Sequence, residues 1–221
     1  MKILITGSHF TPAQATIEEL QKQPDMEIVY VGRKFTLEGD KTQSAESHVL
    51  PKMGIKFISI FAGRLQRSFT IYTILSLFKI PIGMIQSFLI VWEEHPDVVL
   101  SFGGYVAVPV VISAWLLSVP IILHEQTLVS GLANSISANF ADKIAISFKE
   151  NNQFNEKKVV LTGNPLRKEI ITDGKLINAD LQEIIETAKK ENLLLILITG
   201  GNQGSHIINK TILKSLEILN K

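Results

Sequence analysis

Short strands that are apolar throughout alternate with amphipathic helical stretches along most of this chain, and no other feature of the sequence constrains the fold as much. Residues 2–5, 26–31, 55–60, 97–101, 120–124, 143–147 and 159–161 read as strands. A strand apolar on both faces needs cover on both. A helix between successive strands supplies it, so the pattern predicts a doubly wound parallel sheet of the Rossmann-like α/β class. Thr11 reads as an N-cap with Pro12 at the first position of a helix reaching Lys22. Residues 69–94 read as two helices broken near Pro81, and further helices are predicted at 109–117 and 132–139.

The pattern pauses at Thr162-Gly163-Asn164-Pro165, which places a first domain at 1–163 and the start of a second at 164–221. The second begins with a helix at 180–190, acidic then basic. A buried strand at 193–198 (LLLILI), a glycine-rich loop at 199–205 and a helix to Lys221 follow. One strand and two helices cannot bury their own apolar faces, so this domain is expected to be incomplete, or completed by another polypeptide.

Composition narrows the function classes. Hydrophobic residues make up 46% of the 221, enough for a sizeable core. The net charge of +1 argues against nucleic acid as the main partner. Without cysteine there is no disulfide, thiolate metal site or cysteine nucleophile. The opening MKILITGSHF has too short an apolar run for a secretory signal, and Met1 is expected to begin a cytoplasmic protein. The apolar stretch at 69–92 carries Lys79, Pro81 and Gly83 at its middle, and the one at 106–123 is divided by Pro109 and Pro120; neither reads as a membrane span.

Three glycine-bearing loops fall where a strand passes into a helix: Thr6-Gly7-Ser8-His9, Gly103-Gly104-Tyr105, and 200–204 with Gly201, Asn202 and Gln203. Glycine permits close backbone approach, and the following helix start offers unpaired N–H groups, a combination suited to phosphate. One such loop is as readily an ordinary turn; three favour a phosphorylated substrate. His9 is the titratable side chain of the first loop, a candidate base for a sugar hydroxyl, a phosphate contact, or a histidine that only bonds its own loop. Glu125 and Gln126 follow a buried strand, placing them against ligand or at the cap of the next helix.

From Ser47 to Trp92 the sequence has no acid, whereas Lys52, Lys56, Arg64, Arg67 and Lys79 fall inside it. Basic residues flanking apolar helices suit an anionic membrane surface, although a solvated rim over a core-facing helix pair has the same composition. A dinucleotide fingerprint is missing from the first loop, and the Tyr30…Lys34 spacing falls on a strand, which disfavours a reductase. No Asp-x-Asp pair or metal-ligand spacing occurs, and neither a metal nor another cofactor is expected.

Three separated runs taken in order, SFGGYVAVPVVISAWLLSVPIILHEQTLVSGLAN, TGNPLR and ITGGNQGSHIIN, with Thr6-Gly7-Ser8-His9 at the first glycine loop before them, resemble the MurG-type N-acetylglucosaminyltransferases of glycosyltransferase family 28. The resemblance implies a GT-B fold, two Rossmann-like domains across a cleft. It implies an inverting transfer of N-acetylglucosamine from UDP-N-acetylglucosamine to the C4 hydroxyl of an undecaprenyl-pyrophosphate-linked muramoylpentapeptide, at the cytoplasmic face of the membrane. Carried over, His9 is the base or acceptor contact and Glu125 supports it. Thr6, Gly7, Ser8, Gly103, Gly104, Tyr105, Gln126, Thr127 and Asn134 face the acceptor and the cleft, and Arg167, Gly201, Asn202 and Gln203 face the donor. Ser8, Thr127 and Asn202 stand where the family usually has glycine, asparagine and serine. Rival readings are a membrane-docking subunit of a split transferase and a nucleotide-sugar epimerase of the same fold.

Overall fold

A computed structural model describes residues 1–35, 42–61, 71–171, 179–200 and 205–219; for residues 71–79, 169, 171, 179, 217 and 219 it describes the backbone alone. The chain divides into two compact units, Met1–Ile171 and Thr172–Lys221.

The first unit is built on a seven-stranded parallel sheet. Its strands are β1 (Lys2–Thr6), β2 (Glu27–Gly32), β3 (Lys56–Ser59), β4 (Val98–Ser101), β5 (Ile121–Glu125), β6 (Lys143–Ile146) and β7 (Val159–Leu161). They lie in the order β3-β2-β1-β4-β5-β6-β7. The helices between them are α1 (Phe10–Leu20), α2 (Ala45–Val49), α3 (Ile71–Glu94), α4 (Ala107–Leu116) and α5 (Leu132–Ser137), with the short α6 (Lys168–Ile171) after β7.

Alternation along each strand splits the apolar residues between two layers. Ile3 and Ile5 of β1 pack with Phe10, Ala13, Ile17, Tyr30 and Phe102 on one face. Leu4 joins Val31, Val91, Val99, Val110 and Leu123 on the other. Each fully buried aliphatic side chain contributes roughly 1.5–3 kcal/mol, so both faces hold their helices firmly, as the unbroken apolar strands require.

Three expectations are corrected. The first helix begins at Phe10 with His9 at its cap, not at Thr11, and Phe10 packs into the core with Ile3, Ile5 and Ile17 from the first turn; Pro12 is accommodated in that turn, where N–H groups have no partner anyway. The stretch read as two helices is one, α3, with Pro81 inside it. Proline removes one hydrogen bond at a cost of about 3 kcal/mol. The helix absorbs this because Gly83, Ser87, Val91 and Glu94 recur on one buried face against the sheet and α4. The third correction concerns the second unit.

In its described part that unit comprises α7 (Ala179–Lys190), residues 191–200 after it, and α8 (His206–Leu219). Residues 193–198, expected to be a buried strand, form no ladder there. Leu194 and Leu197 are more than four-fifths exposed. A strand exists only by pairing its N–H and C=O groups with a neighbour, and among the described residues of this unit there is no second strand. Arg64, Arg67, Gly201, Asn202 and Gln203 lie outside the described residues, as does the side chain of Lys79.

At the amino edge of the sheet the Glu94 carboxylate, on the last residue of α3, is bound by Lys2 at 2.7 Å and Lys56 at 2.6 Å. Burial works against its charge, but the two ammonium groups prevail and hold the carboxyl below its usual range. Lys56, expected to face an anionic surface, is therefore already paired. Lys52 is exposed, with its Nζ 2.7 Å from His48 Nε2.

Candidate functional site at the switch point of the sheet

In the strand order, β1 and β4 are neighbours, and the chain winds away from them in opposite directions. Where winding reverses, the loops leaving the carboxyl ends of adjacent strands part and leave a crevice, the usual ligand site of an open α/β sheet. The loop after β1 and the loop after β4 form two of its walls.

The loops are laced together through their backbones. Phe102 N–H donates to Thr6 O at 2.7 Å, and Ser8 N–H donates to Gly103 O at 2.8 Å. At Gly7 (φ +145°) a Cβ would stand 2.8 Å from the Phe102 carbonyl carbon, so only glycine allows this approach. From the neighbouring β2, the buried Tyr30 hydroxyl donates to Gly7 O at 2.9 Å and fixes the loop from below.

Gly103 and Gly104 both adopt left-handed backbone, φ +70° and +85°. A Cβ on Gly103 would overlap the Asn134 amide and lie 2.8 Å from its Cγ; one on Gly104 would lie 2.7 Å from Ser8 Cβ. Side chains thus fill the space the glycines leave, and α4 starts directly afterwards, with Ala107 N–H donating to Gly104 O at 3.0 Å. Thr6 Oγ1, Ser8 Oγ and Asn134 Oδ1 are buried without a hydrogen-bond partner among the described residues. Buried polar atoms rarely go unpaired, and three around one pair of glycine loops mark a place where ligand or water completes the bonding.

The third wall comes from β5. Glu125 is 1% exposed. Its Oε1 accepts from Thr127 N–H at 2.9 Å and Thr127 Oγ1 at 2.6 Å, and its Oε2 accepts from Asn134 Nδ2 at 2.8 Å. Asn151 Nδ2 donates to Thr127 O at 3.1 Å. The carboxylate therefore pins the turn after β5 and holds Asn134, on α5, against Gly103. It does not cap α5, whose cap residue is Gly131. Thr127 supplies both of its donors to this clamp; Gln126 is half-buried beside it.

His9 occupies the cap position of α1, half-buried, with no side-chain bond to the helix. His124, one residue before Glu125, is 4% exposed, and its ring centre is 5.3 Å from that of Phe102. Burial lowers its pKa, with the Gly163 carbonyl and Glu125 opposing and the neighbouring His9 adding a smaller push in the same direction as burial, so the ring is neutral at neutral pH. Tyr105 is half-buried at the head of α4. Arg167 lies shortly after β7, its Nε buried without a hydrogen-bond partner among the described residues.

The sheet thus brings Thr6, Gly7, Ser8, Gly103, Gly104, Glu125, Thr127 and Asn134 into one bonded cluster. Tyr30 and Asn151 belong to its support and were not marked as site residues by the sequence; His124, which ends the strand before Glu125 and Gln126, supports it as well. A tyrosine in an otherwise apolar strand is the one signal that pointed toward Tyr30. No group of three His, Asp or Glu side chains suited to a metal occurs among the described residues.

Residues 6–146 match the glycosyltransferase family 28 N-terminal domain. The whole chain aligns at 37% identity with the UDP-N-acetylglucosamine–N-acetylmuramyl-(pentapeptide) pyrophosphoryl-undecaprenol N-acetylglucosamine transferase of Clostridium botulinum, covering 60% of it. It aligns at 36% with the protein of the same description from Clostridium tetani, covering 59%. The chain thus spans about three-fifths of the length of these relatives. Among solved structures, Acinetobacter baumannii MurG superimposes with a TM-score of 0.59 at 24% identity, over 79% of this chain and 48% of that one. The UDP-GlcNAc 2-epimerase from Neisseria meningitidis gives 0.53 at 16%, over 87% and 52%. At these identities both structures show the fold alone, including the GT-B character of its neighbours.

Proposed function

The chain belongs to glycosyltransferase family 28, and from that premise we propose that it forms the acceptor-binding half, with the beginning of the donor-binding half, of an inverting N-acetylglucosaminyltransferase acting on a diphosphate-linked lipid in peptidoglycan synthesis. The observation that carries the reading is the pair of interlaced glycine loops at the switch point, ringed by unpaired buried polar atoms. Backbone N–H groups, the start of α4 and the Ser8 hydroxyl suit the diphosphate of the acceptor.

In the proposed reaction His9 takes the proton from the acceptor's C4 hydroxyl as that oxygen attacks the anomeric carbon of UDP-N-acetylglucosamine. The bond to the UDP oxygen breaks on the opposite face, UDP leaves with the electron pair, and the configuration inverts. His9 is suited to this because no helix-capping bond occupies its ring. Glu125 has both oxygens engaged, so its role is to hold Thr127 and Asn134 in place, supporting the base only indirectly. Arg167, with Gly201, Asn202 and Gln203, is assigned to the donor phosphates. Catalysis needs donor and acceptor held together, and the rest of the donor domain lies in the part of the relatives this sequence does not span.

Membrane attachment is proposed for α3. Ile82, Ile85, Leu89 and Trp92 recur along one exposed face, between 44% and 63% open to solvent, with Lys52 as an exposed cation elsewhere in the unit. Among the described residues no helix is long and apolar enough to cross a membrane, and a peripheral position on the cytoplasmic face fits this pattern. Alignment at 37% with transferases outweighs the epimerase reading, which rests on fold alone.

The test joins the 221 residues to the remaining C-terminal portion of the Clostridium botulinum relative and assays sugar transfer onto the lipid-linked muramoylpentapeptide. Transfer is expected, with a loss of roughly 10²–10⁴-fold for His9→Ala. No transfer, or full activity of the variant, would sink the reading. The 221 residues alone are expected to transfer nothing.

A further inference from the structure

Among the described residues of the first unit, an enclosed apolar space adjoins the polar cluster without being part of it. It is a groove of about 310 Å³ between α3, α4 and α5. Gly83 and Met84 of α3 form one side, Val108 and Ile112 of α4 the floor, and Leu132 and Ile136 of α5 the other side; among the described residues no charged side chain lines it. Its volume is at the lower end of the roughly 300–1,000 Å³ usual for small-molecule sites.

Two connections tie the groove to the glycine loops. Tyr105, the residue directly after Gly104, lines it, so the groove starts where the proposed diphosphate cradle ends and follows α4 for about 10 Å, at 1.5 Å per residue from Tyr105 to Ile112. On α5, Asn134 reaches Glu125 and the Gly103 backbone, while Leu132, Ala133 and Ile136 turn toward the groove. One short helix therefore presents a polar group to the loops and an apolar wall to the groove. At its far side, Gly83 and Met84 lie in the same turns as Ile82 and Ile85, which begin the exposed apolar face of α3.

We propose that this groove seats the phosphate-proximal hydrocarbon of a prenyl-type lipid whose diphosphate lies on the Gly7 and Gly103–Gly104 loops. This rests on the diphosphate reading of those loops and adds to it a recognition element for the lipid itself. An occupant anchored by its diphosphate at the Tyr105 end would run between the apolar side chains of α4 and α5 and leave over the exposed face of α3. The first carbons of the chain would be read by the protein, and the remainder would stay in the bilayer. A soluble sugar nucleotide has no part that fits such walls, since burying its hydroxyls there would leave them unpaired.

The 221-residue chain is titrated calorimetrically, without detergent, with inorganic pyrophosphate, isopentenyl diphosphate, geranyl diphosphate, farnesyl diphosphate and farnesol. Affinity is expected to rise roughly tenfold or more from pyrophosphate to geranyl diphosphate, since apolar carbons leave water for the groove, and then to level off once it is full. Ala133→Phe, which fills the groove, and Ile136→Gln, which makes its wall polar, are each expected to remove the chain-length gain and keep pyrophosphate affinity. A flat series in the unsubstituted protein overturns the groove while leaving the diphosphate reading standing. So does a gain that survives both substitutions. Farnesol binding as tightly as farnesyl diphosphate, with pyrophosphate not bound, overturns the diphosphate reading and the continuous site together, as does the absence of binding by every probe.

Discussion

Replacing Gly103 by alanine puts the packing of the glycine loops against Asn134 under direct test, and Gly54 provides the control. Both glycines are left-handed, with φ of +70° and +75°, but a Cβ at Gly54 meets nothing within 4 Å. At Gly54 the expected loss is the left-handed penalty of roughly 1–2 kcal/mol, reduced by about 0.4–1 kcal/mol because alanine restricts the unfolded chain, leaving about 1 kcal/mol. Gly103→Ala has the same backbone terms and in addition drives Asn134 from its place. Asn134 is 2% exposed and bonded to Glu125 at 2.8 Å. Losing a hydrogen bond to a carboxylate costs roughly 1.5–3 kcal/mol, so the total comes to about 3–4 kcal/mol. Urea unfolding followed by circular dichroism reads the difference: Gly103→Ala should lie about 2 kcal/mol below Gly54→Ala. In a domain of this size that corresponds to roughly 4–8 °C in melting temperature. Equal losses in the two variants would refute the argument that the Asn134 amide fills the space beside Gly103, and with it the bonded cluster as drawn.

Other substitutions test the supports around that cluster. Tyr30→Phe leaves Gly7 O buried without its donor and should cost about 1–2 kcal/mol in urea unfolding; no change would mean the loop does not depend on β2. His124 has a lowered pKa in the fold, so the unfolded chain takes up its proton first. Stability should therefore be full above about pH 6.5 and fall as pH drops below it, levelling off beneath the folded pKa, and His124→Gln should flatten this slope in thermal melts between pH 7.5 and 5. Glu94 has the opposite chemistry, a carboxyl held low by Lys2 and Lys56. Its contribution is present above the unfolded value near about 4.3 and is lost as pH falls further. Glu94→Gln should cost about 1–2 kcal/mol at pH 7, since Lys56 is exposed and screened, and should reduce the loss seen in acid.

Much of the architecture was legible in the sequence because it depends on short-range patterns. Ile3, Leu4 and Ile5 in succession demand cover on both faces of a strand, whatever their partners are. The glycines of Thr6–His9 and 103–104 announce strand-to-helix turns through backbone freedom alone. The corrections fall where a local signal was outweighed by a distant one. Pro81 suggested a break, yet the burial of Ser87 and Val91 against other elements keeps α3 in one piece. The run at 193–198 has the composition of a core strand, but composition supplies no hydrogen-bond partner, and in the described structure it has none.

The site divides the same way. The residue types able to bind phosphate, and their position after strands, were written in the sequence, as was the family resemblance of the runs around them. The sequence could not say that β1 and β4, more than ninety residues apart, would be neighbours with Ser8 bonded to Gly103. Nor could it say that Glu125 would turn its oxygens inward to Thr127 and Asn134, or that Tyr30 would reach Gly7. Hydrophobic periodicity specifies which face of an element is buried, because that depends on spacing along one segment. Which polar groups meet depends on strand order and register, and those are decided only when all the segments pack together.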